Sequence, residues 1–138
     1  MIRTVLCISE TTSKDQQTLF SHISEIAETS KAKNPQQGFT GILARHEKHF
    51  LHILEGERIA LAELLKKIEA DQRNKNLQVM FDVIWTERVF EEWEVLDKAS
   101  PEYSERFNQF LKVNIDALAL LDDEQFEVLS RFVENVFH

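Results

Sequence analysis

Two side chains in this sequence have types that could do chemistry together, a cysteine in the first apolar segment and a histidine in the third. Cys7 lies in the β-branched apolar run 2–9, which predicts a buried strand, and His52 lies inside the apolar run 50–56. A thiol beside an imidazole can become a thiolate nucleophile. The alternative is a small buried thiol that packs against a hydrogen-bonded histidine. We favour packing, because free cysteine is among the most buried residue types.

The histidine belongs to a predicted β-hairpin. Two apolar runs, 38–43 and 50–56, are bounded by glycines and joined by the polar segment 45–49, a pattern typical of two paired strands. His46, His49 and His52 suggest a metal site, since histidine is a common ligand. His46 and His52 share a strand parity that His49 lacks, so the three side chains do not point to one place. The sequence therefore predicts no metal site.

A strand and a helix repeat around this hairpin. The spacing predicts a strand over 2–9, a polar turn over 10–13, helices over 14–34 and 59–68, a polar loop over 71–76, and strands over 77–85 and 93–96. The order βαββαβ(β) predicts an α+β ferredoxin-like sandwich. In that order the first and third strands are neighbours, so we expect Cys7 and His52 to lie side by side and to face the two helices.

Both faces of the predicted sheet are apolar, because Val5 and Cys7 alternate with Leu6 and Ile8 along the first strand. Both faces must then be covered. Two further amphipathic stripes follow residue 97. We expect residues 1–97 to form the ferredoxin-like domain and residues 98–138 to form a C-terminal two-helix cap on the other face of the sheet, as part of the same unit.

Composition limits the classes of partner. The chain has 138 residues, which fits one domain, and a net charge of −8, which argues against a nucleic-acid partner. No apolar run approaches the roughly 18 residues of a membrane span, and the start lacks the layout of a signal peptide. The single cysteine permits no internal disulfide, which fits a reducing compartment. From these features together we expect a cytoplasmic protein with no membrane partner. The charged runs 55–58 and 91–92 are predicted to face solvent.

Four segments, residues 34–43, 50–56, 71–73 and 88–93, stand out by their order and spacing along the chain. Together they resemble the BLUF domain, a blue-light sensor that uses FAD, in which the segments have the same order and spacing. The resemblance covers about residues 2–96 and implies the ferredoxin-like fold reached above from periodicity. It also implies that a flavin ring lies between the two helices, on the sheet face of Cys7 and His52.

The resemblance implies a set of cofactor-binding residues. Asn34 matches the asparagine that hydrogen-bonds the polar edge of the ring, Arg73 matches a basic residue near the mouth of the site, and Asp71 is also retained. Ser9, His52 and Cys7 complete the expected lining. Asn34, Asp71 and Arg73 also have a purely structural interpretation. Asn34 could cap a helix, and Asp71 and Arg73 could form a surface ion pair.

The departures from the family pattern concern its photochemistry. Family members have Tyr-x-Ser in the first strand and glutamine in the third, whereas this chain has Cys7, Ile8 and Ser9, and His52. The histidine that usually follows the loop arginine is Asn74 here. We therefore expect a BLUF-family sensory or regulatory domain, not an enzyme, with FAD as the implied cofactor and an absent or altered photocycle. The alternative is a flavin-free protein–protein interaction module. By resemblance, the partners are another protein and further copies of the chain in a homo-oligomer.

Overall fold

A computed structural model describes residues 1–46 and 48–97, together with the single positions 105, 131 and 134. The elements are β1 (Ile2–Thr11), α1 (Gln16–Lys33), β2 (Thr40–His46), β3 (His49–Gly56), α2 (Arg58–Ala70), β4 (Asn74–Trp85) and β5 (Trp93–Asp97), with a short 3-10 turn at Pro35–Gln37. The chain divides into two compact units, Met1–Asp97 and Lys98–His138. The predicted helical cap falls in the second unit, outside the described residues, and stays a prediction.

The five strands of the described residues form one sheet in the order β4-β1-β3-β2-β5. β1 is antiparallel to both β3 and β4, and β2 is antiparallel to β3 and parallel to β5. This is the predicted ferredoxin-like arrangement, with β5 added beside β2. Cys7 and His52 are direct partners in the β1–β3 register, as predicted. No helix in the described part of the chain is long and apolar enough to cross a membrane.

Several element boundaries differ from the sequence prediction by a few residues. β1 continues to Thr11 instead of ending at Ser9, because β4 begins early, at Asn74, and pairs with Thr11. α1 begins after Asp15, whose carboxylate accepts a hydrogen bond from the Thr18 amide at 2.7 Å. The helix ends just before Asn34 and Pro35, as predicted.

Two glycines allow the hairpin to pack closely. Gly41 has a φ of +137°, and a Cβ atom there would collide with the carbonyl oxygen of Ile53 on β3. A Cβ atom on Gly56 would lie 2.6 Å from Cδ1 of the Phe39 ring. Larger residues at these positions would separate the hairpin strands or displace Phe39 from the core.

Among the described residues, the helix-facing side of the sheet carries two apolar clusters, one beside α1 and one beside α2. Leu54 of β3 belongs to a cluster that includes Leu61 of α2, and Phe50 belongs to a cluster that includes Leu19 of α1. His52 lies between Phe50 and Leu54 on the same side of β3, and is therefore placed between the two helices. Residues of the opposite parity, including Leu6, Leu51 and Ile53, are fully buried, which agrees with the prediction that neither face is wet.

The prediction for Glu55 was wrong. It was assigned to a solvent-facing charged run, but its side chain is fully buried. Its carboxylate accepts hydrogen bonds from the amides of Val89 (2.6 Å) and Phe90 (3.0 Å) and from the Thr40 hydroxyl (2.9 Å). The carboxylate therefore joins β3 to the segment before β5. Glu91 and Glu92, which follow in that segment, are exposed as predicted.

The pairing of β1 with β4 is irregular at two places. The register shifts between Leu6 and Cys7 and again between Ile8 and Glu10, so Ser9 falls within the second irregularity. On the β4 side of this irregularity, Asn76 has a φ of +55°, in the left-handed region. The strand pair is therefore bent beside the residues predicted to form the site.

Candidate functional site

A cleft of about 220 Å³ lies between α1, the second half of α2 and the sheet. Its apolar lining residues are Ile26, Leu43, Phe50, Leu64, Ile68 and Trp93. Its neutral polar lining residues are Thr29, Ser30, Asn34, Gln37, His52 and Asn74. Its charged lining residues are Lys33, Lys67, Asp71 and Arg73. Apolar walls with a few polar groups are typical of a small-molecule or cofactor site.

One face of α1 forms a wall that the sequence prediction missed. Ile26, Ser30 and Lys33 line the cleft at spacings of four and three residues, which puts them on one face of a helix. Trp93 of β5 reaches this wall, and its indole Nε1 donates a hydrogen bond to Ser30 Oγ at 3.0 Å. The helical spacing from Ile23 to Ile26, Ser30 and Lys33 could have revealed this wall. Ser30 and Lys33, however, are polar and are therefore typical of the side of a helix that faces solvent.

Four of the six predicted binding residues line the cleft, namely Asn34, His52, Asp71 and Arg73. The other two, Ser9 and Cys7, lie on the neighbouring strand β1 and are outside the lining. Ser9 is 1% exposed and its Oγ lies 3.1 Å from Nε2 of His52, and Cys7 is fully buried opposite His52 on β1. Ser9 and Cys7 are therefore not part of the lining, and Ser9 is joined to it by the hydrogen bond to His52.

The imidazole of His52 is uncharged near neutral pH. The residue is 7% exposed, and burial lowers its pKa to about 4, although the negative charge of Asp71 opposes this shift. The ring centroid lies 6.2 Å from that of Phe50, with the two planes tilted by 59°. A neutral, packed imidazole can serve as one hydrogen-bond donor and one acceptor.

The thiol of Cys7 does not have the properties of a nucleophile. Burial raises its pKa to about 12, so the thiol keeps its proton at neutral pH. No charged group lowers this pKa, and no hydrogen bond joins the thiol to His52 within the described part of the chain. These properties of the Cys7 thiol agree with the interpretation in which a buried thiol packs beside His52.

Asn34 combines a structural role with an available side chain. Its backbone amide donates to the Ser30 carbonyl at 2.9 Å, and its own carbonyl accepts from the amides of Gln37 and Phe39. The residue thus ends α1 and directs the chain toward the hairpin. Asn34 is only 6% exposed, and its carboxamide makes no hydrogen bond to another described residue.

Asp71 and Arg73 form an ion pair in the wall of the cleft. Arg73 Nη2 lies 2.6 Å from Asp71 Oδ2 and Nε lies 2.9 Å from Oδ1, and a longer contact of 3.4 Å reaches Glu25. The hydrogen bond from Arg73 lowers the pKa of the Asp71 carboxyl, which stays ionised at neutral pH. Asn74 follows this pair, and its side-chain nitrogen Nδ2 donates hydrogen bonds to the backbone carbonyls of Ile68 and Asp71.

The sequence matches the family model for BLUF, described as sensors of blue-light using FAD, over residues 2–96. The match spans more than half of the chain. This chain belongs to the BLUF family of blue-light sensory domains, which confirms the resemblance found in the sequence. The family is a sensory one that uses flavin. No curated protein sequence matches the chain.

Solved structures of the same class share the fold. BlrB, a BLUF protein in its dark state, has a TM-score of 0.70 and 25% sequence identity, with 96% of this chain and 94% of BlrB covered. Photo-activated BlsA has a TM-score of 0.74 at 20% identity, covering 96% and 95%. A bacterial light-regulated adenylyl cyclase has a TM-score of 0.70 at 21% identity. The match covers 87% of this chain but only 36% of the cyclase, so the shared fold is a part of that longer protein.

Proposed function

We propose that the cleft binds the flavin ring of FAD between α1 and α2. The observation that carries this proposal is the presence of two polar groups with unused hydrogen-bonding capacity, the Asn34 carboxamide and the His52 imidazole, among apolar walls. A flat heteroaromatic ring needs apolar contacts on its faces and hydrogen-bond partners along its polar edge. The residues of the cleft meet both needs.

Bound FAD would supply absorption of blue light and the capacity to accept an electron. The chain's own residues would bind and orient it. In this proposal Asn34 and His52 hydrogen-bond the polar edge, and the apolar side chains of both helices exclude water from the ring. Arg73 stays paired with Asp71 and holds the loop after α2 at the wall of the site.

We further propose that the light response usual for the family is absent or altered in this chain. The resemblance places Cys7 where the family has tyrosine and His52 where it has glutamine. A thiol with a pKa of about 12 retains its proton, and an imidazole lacks the amide group of glutamine. Flavin binding can persist, because the walls that α1 and α2 contribute contain neither of the two substituted positions.

The first experiment is a titration of the purified protein with FAD, followed by absorption and mass spectrometry. We expect bound FAD and a structured flavin band, and Asn34→Ala should weaken binding about 3–10-fold through the loss of one hydrogen bond. Gln36→Ala is the matched control, because Gln36 is exposed beside the cleft but outside its lining. A colourless protein that takes up no FAD would reject flavin binding and favour the flavin-free interaction module.

The second experiment tests the assignment of the altered light response. Illumination of the FAD-bound protein should cause no reversible red shift of the flavin band. In the double variant Cys7→Tyr with His52→Gln, the shift should appear. Since tyrosine is much larger than cysteine in a fully buried position, thermal unfolding must first show that the variant is folded. A folded, FAD-bound double variant without the shift would contradict the role given to these two positions.

We propose that the output of this domain is contact with another protein, together with self-association. Phe20 and Ile59, near the starts of α1 and α2, are 67% and 66% exposed, which makes them candidates for such a contact. The molar mass from light scattering, with and without FAD, tests this proposal. A monomer under both conditions would contradict the homo-oligomer.

A further inference from the structure

The hydrogen bond between Ser9 and His52 determines which atom His52 can offer to a ligand. Ser9 is 1% exposed, and its hydroxyl has one hydrogen-bond partner among the described residues, Nε2 of His52 at 3.1 Å. A serine hydroxyl carries one donor and two acceptor sites, and a neutral imidazole carries one donor and one acceptor. The position of the imidazole proton therefore decides whether the buried hydroxyl is satisfied.

Two arrangements of the protons are available to this pair. If Nε2 carried the proton, it would donate to Ser9 Oγ, and the serine O–H would have no acceptor in a buried position. If the serine O–H donates to an unprotonated Nε2, both atoms are satisfied. Because buried polar groups in native proteins are nearly always hydrogen-bonded, the second arrangement is the stable one. The single proton of a neutral imidazole then resides on Nδ1.

We propose that Ser9 holds His52 in the Nδ1–H tautomer, so that the cleft presents a hydrogen-bond donor at this position. The ligand selected there places an acceptor, such as a carbonyl oxygen or an unprotonated ring nitrogen, against Nδ1. The assignment of the tautomer is independent of the ligand. The choice of flavin as the ligand that supplies the acceptor rests on the proposed function.

The surroundings of Nδ1 support this assignment. This nitrogen makes no hydrogen bond to another described residue. The buried side-chain atoms without a partner in the described part of the chain are His22 Nδ1 and Asn74 Oδ1, so His52 Nδ1 is not among those sealed from solvent. His52 is part of the wall of the cleft. Burial lowers the pKa of His52 to about 4, which keeps a single proton on the ring at neutral pH.

This arrangement differs from what a glutamine could do at the same place. A carboxamide offers its NH2 group or its oxygen to a ligand according to its rotamer. An imidazole whose Nε2 accepts from a fixed serine offers only the N–H at its other nitrogen. Ser9 is thus a positioning residue, which acts on a ligand through His52.

The tautomer can be measured directly by NMR in the ligand-free, 15N-labelled protein, from correlations between the ring nitrogens and the carbon-bound ring protons. His52→Gln identifies the His52 signals among those of the five histidines. We expect the chemical shift of a protonated nitrogen at Nδ1 and of an unprotonated one at Nε2. A proton on Nε2 in the wild-type protein would overturn the proposal.

Variants at Ser9 separate this specific role from a merely structural one. Ser9→Ala should shift the proton toward Nε2, whereas Ser9→Thr, which retains the hydroxyl, should keep the wild-type pattern. Ser13→Ala is the matched control, because the Ser13 hydroxyl bonds the Asp15 carbonyl outside the cleft. An unchanged Nδ1–H pattern in folded Ser9→Ala would show that Ser9 does not select the tautomer.

Titration with FAD tests the selection of an acceptor. Binding should weaken about 3–10-fold in Ser9→Ala and be restored in Ser9→Thr, since one ligand hydrogen bond is affected. Equal affinity in Ser9→Ala and the wild type would overturn the ligand part of the proposal. Failure of the wild type to bind FAD would overturn the proposed function, while the NMR measurement would still decide the tautomer.

Discussion

His52 and Glu55 are buried polar side chains only three residues apart on β3, but the molecule satisfies them differently. Glu55 receives three hydrogen bonds, two from backbone amides and one from the Thr40 hydroxyl, all supplied by the chain itself. His52 has one hydrogen bond, to Ser9, and its second nitrogen has no described partner. The two side chains have opposite strand parity, so they serve opposite faces of the sheet.

The difference separates a structural polar group from a binding one. A buried group whose partners are all internal contributes to the fold, and removing it leaves those partners unsatisfied. A buried group with unused hydrogen-bonding capacity in the wall of a cleft can bind a ligand. We therefore expect variants of Glu55 to lose mainly stability and variants of His52 to lose mainly affinity for a ligand.

The largest effect is expected for Glu55→Ala. The amides of Val89 and Phe90 and the Thr40 hydroxyl would lose their acceptor, and each unsatisfied group costs about 1–3 kcal/mol. The free energy of unfolding, measured by urea denaturation, should fall by about 3–5 kcal/mol in total. Glu91→Ala, an exposed residue of the neighbouring segment, is the control and should change it by less than about 0.5 kcal/mol. Equal effects of the two variants would remove the distinction drawn for Glu55.

His52→Leu should give the opposite pattern. The buried Ser9 hydroxyl loses its acceptor, which costs about 1–3 kcal/mol, and the apolar contacts of leucine offset part of this cost. The free energy of unfolding should therefore fall by about 1–2 kcal/mol, less than in Glu55→Ala. Affinity for FAD should fall about 10-fold, because the hydrogen bond from the imidazole to the ligand is lost. The measurements are urea denaturation and FAD titration. A variant that loses stability but keeps its affinity would contradict the comparison.

A smaller, pH-dependent effect is expected for Glu55. Burial raises the pKa of its carboxyl, although the hydrogen bonds from Val89, Phe90 and Thr40 oppose the shift. A raised pKa means that the folded state binds this proton more tightly than the unfolded chain does, so this group favours folding increasingly as the pH falls through its folded pKa. Compared with Glu55→Gln, the wild type should therefore gain stability between pH 7 and pH 4.5. Urea denaturation at several pH values measures this gain, and a relative loss on acidification would show that the pKa is instead lowered.

The smallest expected effect is the absence of a reaction at Cys7. A fully buried thiol with a pKa of about 12 has almost no thiolate at pH 8. Iodoacetamide should leave the folded protein unmodified by mass spectrometry, whereas the urea-unfolded chain, in which Cys7 is the only cysteine, should be fully alkylated. Rapid alkylation of the folded protein would revive the thiolate interpretation of the Cys7–His52 pair.

The sequence predicted the scaffold of the site because local patterns determine it. Continuous apolar runs defined β1 and the hairpin, the glycines marked the hairpin ends, and Pro35 marked the end of α1. The ferredoxin-like order then placed Cys7 and His52 on adjacent strands, which the structure confirms, and the strand register shows that they are direct partners. These predictions required no knowledge of contacts between distant side chains.

The hydrogen-bond partners could not be predicted in the same way. The parity of Leu51 and Ile53 extends to Glu55 and could have revealed its burial, but the amides that it binds lie 34 and 35 residues further along the chain. The polar wall formed by Ser30, Lys33 and Trp93 depends on how α1 is rotated against β5. Such details depend on tertiary packing, which residue patterns do not encode.

The register shifts between β1 and β4 also change the shape of the strand at the edge of the described sheet. β4 is the longest strand, with 12 residues, and among the described strands it has a neighbour on one side only. A long, regular edge strand is a template onto which other chains can add strands. The two irregularities and the left-handed Asn76 bend this strand, so that a second chain would find no long straight edge to extend. We therefore expect the distortion beside Ser9 to disfavour the addition of strands from other chains at this edge.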